Sequence, residues 1–551
     1  MNILMRYYLN YKIKQMKKIL LYTGIVVFAL QTGCTKKFEE INTDPTQSSP
    51  ANFNSDYFLS SSQANYINAI TGYNGAILFQ SGWVQIFAST TSGAANYYSN
   101  MDKYVPSGNT NDYAARVWRV NYRAASLANE IIRNLSGDDS KANVVSAATV
   151  MKVLSIQSIT DMYGDCPYSQ ALQGADGVSL PVYDKQQAVY TAMLSELDAA
   201  LSKFDASKAK PGADLFYAGD VAKWKKFGYS LMLRLAMRLT KVDAATAKTY
   251  AEKAATGGTF SGVGDDAYIN GDDANGYRSE NSRALVTAAD FYQVRWSKKL
   301  IDYLKSTNDP RVSAIAEVSQ AGLAANQNSN LAGDNTFANQ EGLPNGWDLN
   351  GGSTDISLSP GYPGGTGSGA DFTPIGKYSR PRTSVYGSLN SGQFVLTYAE
   401  TELLLAEAAV RGWSVGGTAA VHYRNGVSAA LQSLGTIGAS AAISAATADA
   451  YAAANPLDVS STAASLKMIN EQYWATTGTM LNFVETWNNW RRSGYPELTP
   501  VVYTGNFSTG VIPRRQIYPT EEATSNGTNY ATGVSSLTGG DVWTSKVWWD
   551  Q

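Results

Sequence analysis

Three glutamates, Glu400, Glu402 and Glu407, crowd one short stretch, and paired carboxylates are what glycosidic acid–base chemistry requires. Glu400 and Glu407, however, share the face of an apolar helical stripe. That spacing predicts carboxylates that hold arginines, such as Arg491 or Arg492, across a packed interface. A second acidic group, Asp265-Asp266 and Asp272-Asp273, sets oxygen ligands at the close spacing that calcium takes. It lacks the EF-hand spacing and the closing glutamate, and a solvated turn cluster has the same composition. His422 is the single histidine, which argues against a histidine-rich metal site and a histidine-based triad. No nucleophile elbow, zinc motif or phosphate loop occurs. The expectation is a protein that is not an enzyme and carries no cofactor, with a structural calcium as the one metal left open. A net charge of −2 over 551 residues leaves no electrostatic footprint for nucleic acid.

The positive signal is aromatic. Thirty-four tyrosines exceed the 12 tryptophans and 16 phenylalanines together, and several sit in polar, glycine-rich stretches. Sugar rings stack through their C–H faces on Trp and Tyr while Asn, Asp, Arg and Gln read the hydroxyls. Most of these rings must still pack cores and helix interfaces.

The elements that would position them are mainly helical. Val117, Val120, Ala124, Leu127 and Ile131 recur at three- and four-residue steps. Further helices are predicted over 147–162, 186–204, 221–240, 244–256, 394–411 and 418–434, with another near 56–87. The helix over 221–240 carries the stripe Trp224, Phe227, Leu231, Leu235 and Leu239, and Trp118, Trp413 and Trp474 are expected in the core. These helices pair as in tetratricopeptide repeats, but no clean 34-residue period recurs. Residues 257–393 break the pattern as a loop-rich insert, and the run Gly361–Gly369 cannot be helical. Long loops on a rigid helical scaffold are where binding usually sits.

Both ends carry their own signals. Lys17-Lys18, an apolar run over 19–30 and Gly33-Cys34 make a secretory signal closed by a lipobox, with Gln31 where an aliphatic residue is usual. Residues 1–33 read as signal peptide, with Met16 as an alternative start, and 34–50 as a lipid-anchored tether on Cys34. Cys166 reads as a buried hydrophobe. At the other end, Trp487, Trp490-Arg491-Arg492-Ser493-Gly494-Tyr495-Pro496 reads as a helix closed by Gly494. Pro513-Arg514-Arg515-Gln516-Ile517-Tyr518-Pro519 and Val547-Trp548-Trp549-Asp550 follow. Arginine pairs wrapped in Trp, Tyr and Pro predict a segment, 436–551, that locks onto the body, 51–551.

These strings resemble the SusD/RagB family of outer-membrane nutrient-binding lipoproteins. Ile41-Asn42-Thr43-Asp44-Pro45, Asp161-Met162-Tyr163-Gly164-Asp165-Cys166-Pro167-Tyr168, Asp309-Pro310-Arg311 and Tyr398-Ala399-Glu400 carry the likeness through the chain. The resemblance implies a mainly α fold of irregular tetratricopeptide-type helix pairs over 114–256 and 394–435. It implies capture of an oligosaccharide at the cell surface of a Gram-negative bacterium. The sugar would pass to a SusC-like TonB-dependent transporter in the outer membrane; peptides or other non-sugar nutrients are the alternative cargo. By location in the family, ligand contacts fall to Trp83, Tyr97, Tyr98, Tyr277, Tyr292, Trp347, Tyr362 and Tyr386. Trp548 and Trp549 are assigned to C-terminal locking.

Overall fold

The computed structural model describes residues 5, 8–9, 11–17, 53–74, 76–91, 98–286, 294–319, 333–363 and 377–551. Met1–Asn54 and Ser55–Gln551 form separate units, and everything below concerns the second. Cys34 and the lipobox lie outside the described residues, as do Tyr97 and Tyr292.

Six long helices among the described residues build the first half: α1 (Ser55–Ile70), α2 (Thr110–Leu135), α3 (Ala142–Tyr163), α4 (Gln186–Leu201), α5 (Val221–Arg238) and α6 (Ala244–Gly257). Each packs on the next in sequence, so every apolar stripe is buried only by its neighbour. The stripe of α5 is buried along its whole length, from Trp224 to Leu235. Asp220 starts that helix by accepting from the amides of Ala222 and Lys223, and Asp243 starts α6 by accepting from Thr246. Such caps contribute about 1 kcal/mol each. α3 is apolar enough by composition to cross a membrane, yet it is buried among the other helices.

After the insert and its helix α7 (Lys298–Ser306), the second half comprises α8 (Tyr398–Val410), α9 (Ala419–Gln432), α10 (Ala445–Ala454), α11 (Thr462–Thr479) and α12 (Phe483–Ser493). α8 packs on α9, α11 and α5, and so joins the two halves. The helix expected near 56–87 ends at Ile70, where Gly72 turns the chain at φ +61°. The helix expected from 394 starts at Tyr398, because Phe394–Leu396 belong to a strand. Trp413 lies beyond the end of α8 and is only half-buried, contrary to its expected place in the core.

Short antiparallel strands stitch the insert to this scaffold. β1 (Phe87–Ala88) pairs with β3 (Arg295–Trp296), and β2 (Ala267–Asn270) with β7 (Gly392–Leu396). β4 (Ala316–Ser319) lies between β5 (Gly333–Asp334) and β6 (Arg380–Pro381).

α12 ends at Gly494, whose φ of +83° closes the helix in the left-handed region. The Arg491 guanidinium lies 3.6 Å from the Trp487 ring centre and 4.5 Å from that of Trp549, and donates to the carbonyls of Asp161 and Arg514. Arg514 stacks on Trp490 and pairs with Asp550, while Arg515 stacks on Tyr518 and pairs with Asp541. The C-terminal segment is therefore bolted to α3 and α12 by arginines that are both stacked and hydrogen-bonded.

Candidate functional site

The three glutamates of α8 are buried and committed elsewhere. Glu400 accepts from Arg234 (2.7 Å) and Tyr473 (2.6 Å), and Glu407 accepts twice from Arg492 (2.6 and 2.7 Å). Glu402 bonds His422 Nδ1 at 2.9 Å and accepts from Asn425. All three are buried and hydrogen-bonded across helix interfaces, so their spacing serves packing. The four aspartates also part company. Asp265 binds Lys226, and Asp266 accepts from the Tyr398 amide and the Ser433 hydroxyl. Asp272 accepts from Asn275, and Asp273 pairs with Arg278. Among the described residues no group of three or more His, Cys, Asp or Glu is placed to hold a metal.

The aromatic candidates divide by burial. Trp83 is fully buried in a cluster with Phe79, Trp487 and Trp543, its indole N–H donating to Asn100. Tyr98 is also buried, and Tyr386 is buried with its hydroxyl donating to the Thr479 carbonyl at 2.8 Å. These three are corrected from ligand contacts to core: Trp83 falls within the helix expected near 56–87, Tyr98 and Tyr386 in stretches that read as loop, and all three lie under other elements. Tyr277 is half-buried beside Asn65, Asn68 and Arg278 in a shallow hollow of about 230 Å³.

Trp347 and Tyr362 come together. Both lie half-buried against a small apolar cluster of Ala88, Leu343, Ile356 and Tyr378. Trp347 lines a groove of about 490 Å³ with Gln85, Lys298, Asp302, Thr354 and the segment Thr499–Val502. Its lip is partly apolar, since Val502 is 82% exposed. The turn that carries Trp347 is held on all sides. Asn345 donates to the Phe87 carbonyl (2.8 Å), and Thr354 donates to Asp348 (2.7 Å). Tyr503 also donates to Asp348, and burial together with that carboxylate pushes the Tyr503 phenol up to about 12, so it stays a donor. Gly346 holds φ at +89° with its backbone against Val501, where a Cβ would meet a methyl at 2.8 Å.

Beneath the turn lies a buried ion pair absent from the sequence-based expectations. Lys103 and Asp102 are fully buried and 3.0 Å apart. Asp102 accepts from the Gly346 amide (3.1 Å) and the Ser89 amide (3.4 Å), and Lys103 donates to the Ser89 carbonyl. Adjacent opposite charges in a tyrosine-rich stretch were the only sequence signal. Asp102→Asn, which keeps the shape but leaves the buried Lys103 ammonium without its counter-charge, should loosen the turn and weaken ligand affinity at this groove by at least about fivefold, roughly 1 kcal/mol. Calorimetric titration checks this, and unchanged affinity would show that the pair does not set the turn.

The groove presents one carboxylate, Asp302, already engaged by Lys298 at 3.0 Å, and so lacks the two free acids that glycoside hydrolysis requires. A ring face flanked by hydroxyl and amide groups can bind a polar ligand, and Lys298 and Lys299 outnumber the one lining carboxylate, Asp302.

No curated protein sequence matches the chain. Among solved structures, a chitin-binding protein is 30% identical with a TM-score of 0.73, covering 90% of this chain and 100% of its own. A SusD homologue from Bacteroides uniformis is 25% identical (TM-score 0.67, 90% and 99% covered). A chitin-binding SusD homologue from Flavobacterium johnsoniae is 23% identical (TM-score 0.67, 90% and 99% covered). The family model described as starch-binding and associating with the outer membrane matches residues 46–519. With that match spanning most of the helical body, the chain belongs to the SusD-like family of outer-membrane nutrient-binding proteins, which bind their cargo and do not turn it over.

Proposed function

We propose that the protein captures a neutral oligosaccharide on the Trp347 groove, at the cell surface, and passes it to a SusC-like TonB-dependent transporter. The observation that carries this reading is the half-exposed Trp347 ring, seated on the Ala88–Tyr378 cluster beside Tyr362, in a groove otherwise lined by amide, hydroxyl and aliphatic groups with Lys298, Lys299 and Asp302 at its edge. The similarity to two chitin-binding structures makes oligomers of N-acetylglucosamine the first class to test. The lipobox at Gly33-Cys34 supports a lipid anchor on Cys34 as the means of attachment.

Trp347→Ala should weaken binding of a chito-oligosaccharide about tenfold, since stacking on one ring contributes about 1–2 kcal/mol, with little dependence on salt. Calorimetry on the parent and the variant decides the matter. Unchanged affinity with an intact fold moves the site elsewhere. Binding of peptides and of no saccharide replaces sugar with peptide as the cargo.

A further inference from the structure

Val502, 82% exposed, stands further into water than any other large apolar side chain among the described residues. Its backbone is nonetheless held from both sides. Gln85 donates to the Thr499 carbonyl (2.6 Å), Val501 is buried against the Gly346 backbone, and Tyr503 donates to Asp348. Further on, the Phe507 amide donates to the Tyr104 carbonyl (2.9 Å), and the Phe507 ring stacks on Trp543 with centres 4.7 Å apart. Gly510 lies behind Val502, where a Cβ would come within 3.3 Å of a valine methyl. The side chain is thus fixed in place while burying little apolar surface for the fold.

Val502 belongs to an aliphatic rim. Pro344, Pro500 and Val502 line the same groove as Trp347, with Pro500 also exposed and Pro344 half-buried. The contact between Gly346 and Val501 sets the turn that carries Trp347 directly beside this rim. Asn345 and Thr354 add oxygens to the lining. Asn345 spends its amide nitrogen on the Phe87 carbonyl and Thr354 its hydroxyl hydrogen on Asp348, so each oxygen is left to accept from an N–H.

A plain hexose offers such a groove C–H faces for the Trp347 ring and hydroxyls for the polar groups. It has no pendant apolar group to cover a rim of aliphatic side chains. An acetamido substituent supplies one, a methyl, together with an amide N–H for Asn345 or Thr354. We infer, on the reading of the Trp347 groove as a saccharide site, that Val502 determines specificity there and makes the groove prefer N-acetylated sugars to plain hexoses. The sugar ring stacks on Trp347 while the acetamido methyl is buried against Val502, and covering one methyl corresponds to about a fourfold gain in affinity.

The probes are chitotetraose and cellotetraose, neutral tetramers of the same linkage that differ only in an acetamido group or a hydroxyl on each ring. Both are titrated by calorimetry into the parent, Val502→Thr and Trp347→Ala. The parent is expected to bind chitotetraose at least about fourfold more tightly than cellotetraose. Val502→Thr keeps the shape of an exposed side chain and replaces one methyl with a hydroxyl, so the fold is spared. It should weaken chitotetraose about fourfold and narrow the preference toward parity, whereas Trp347→Ala weakens both tetramers. Equal affinity of the parent for the two tetramers overturns the inference and leaves saccharide binding at Trp347 standing. So does chitotetraose affinity that is unchanged in Val502→Thr, or an equal loss of both tetramers in that variant. Chitotetraose binding indifferent to Trp347→Ala, or no binding of either tetramer, removes the saccharide reading of the groove and the role of Val502 with it.

Discussion

Glu407→Ala is expected to cost about 3–5 kcal/mol of folding stability, because it strands a buried guanidinium. Arg492 is 1% exposed and meets Glu407 through both terminal nitrogens, with Asn470 and Asn489 completing its shell. Against the burial that would raise it, Arg492 and Arg411 hold the Glu407 carboxyl down at about 2. A depressed carboxylate contributes stability that is present above its unfolded value near 4.5 and lost as pH falls through about 2. The parent should therefore lose about 3 kcal/mol across that window, and Glu407→Ala should lose correspondingly less. Urea denaturation followed by circular dichroism measures both. Arg119→Ala serves as the control: its pair with Glu521 is largely solvated and should contribute under about 1 kcal/mol. A loss below that level in Glu407→Ala would show that the α8–α12 contact tolerates an unpaired charge.

Asp266 should behave in the opposite sense. It is buried where β2 enters the scaffold, and burial pushes its carboxyl up to about 7 against the hydrogen bonds from Ser433 and Tyr398. A raised carboxyl contributes stability that is full below its unfolded value of 3.8 and lost as pH climbs through about 7. Asp266→Asn keeps an acceptor for the Tyr398 amide and supplies a donor to the Ser433 oxygen. The variant should therefore be more stable than the parent at pH 8, by at most about 4 kcal/mol, and the gap should close near pH 4. Thermal melts at the two pH values test this. A variant less stable than the parent at pH 8 would mean that Asp266 is ionised in the folded protein and stabilised by its two donors.

The sequence by itself determined the helical scaffold and its C-terminal lock. Stripes such as Trp224–Leu235 repeat at the helical period and can be buried only on a neighbour, so local pattern and packing agree there. The arginine strings were legible from local backbone chemistry: Pro496 and Pro513 restrict the backbone, and Gly494 permits the left-handed turn that ends the helix, before any tertiary contact forms. The binding face was decided by tertiary structure. Nothing in the local pattern around Trp83, Tyr98 or Tyr386 separates them from Trp347 as buried from half-exposed, and only the elements that cover them do so. The groove gathers Gln85, Lys298, Trp347 and Val501 from positions far apart in the chain, and Asp102 reaches Gly346 from 244 residues away. Loops carry no period that announces which face they show. Their exposure is set by long-range strand pairing, by buried charge and by the close backbone approach that a glycine permits.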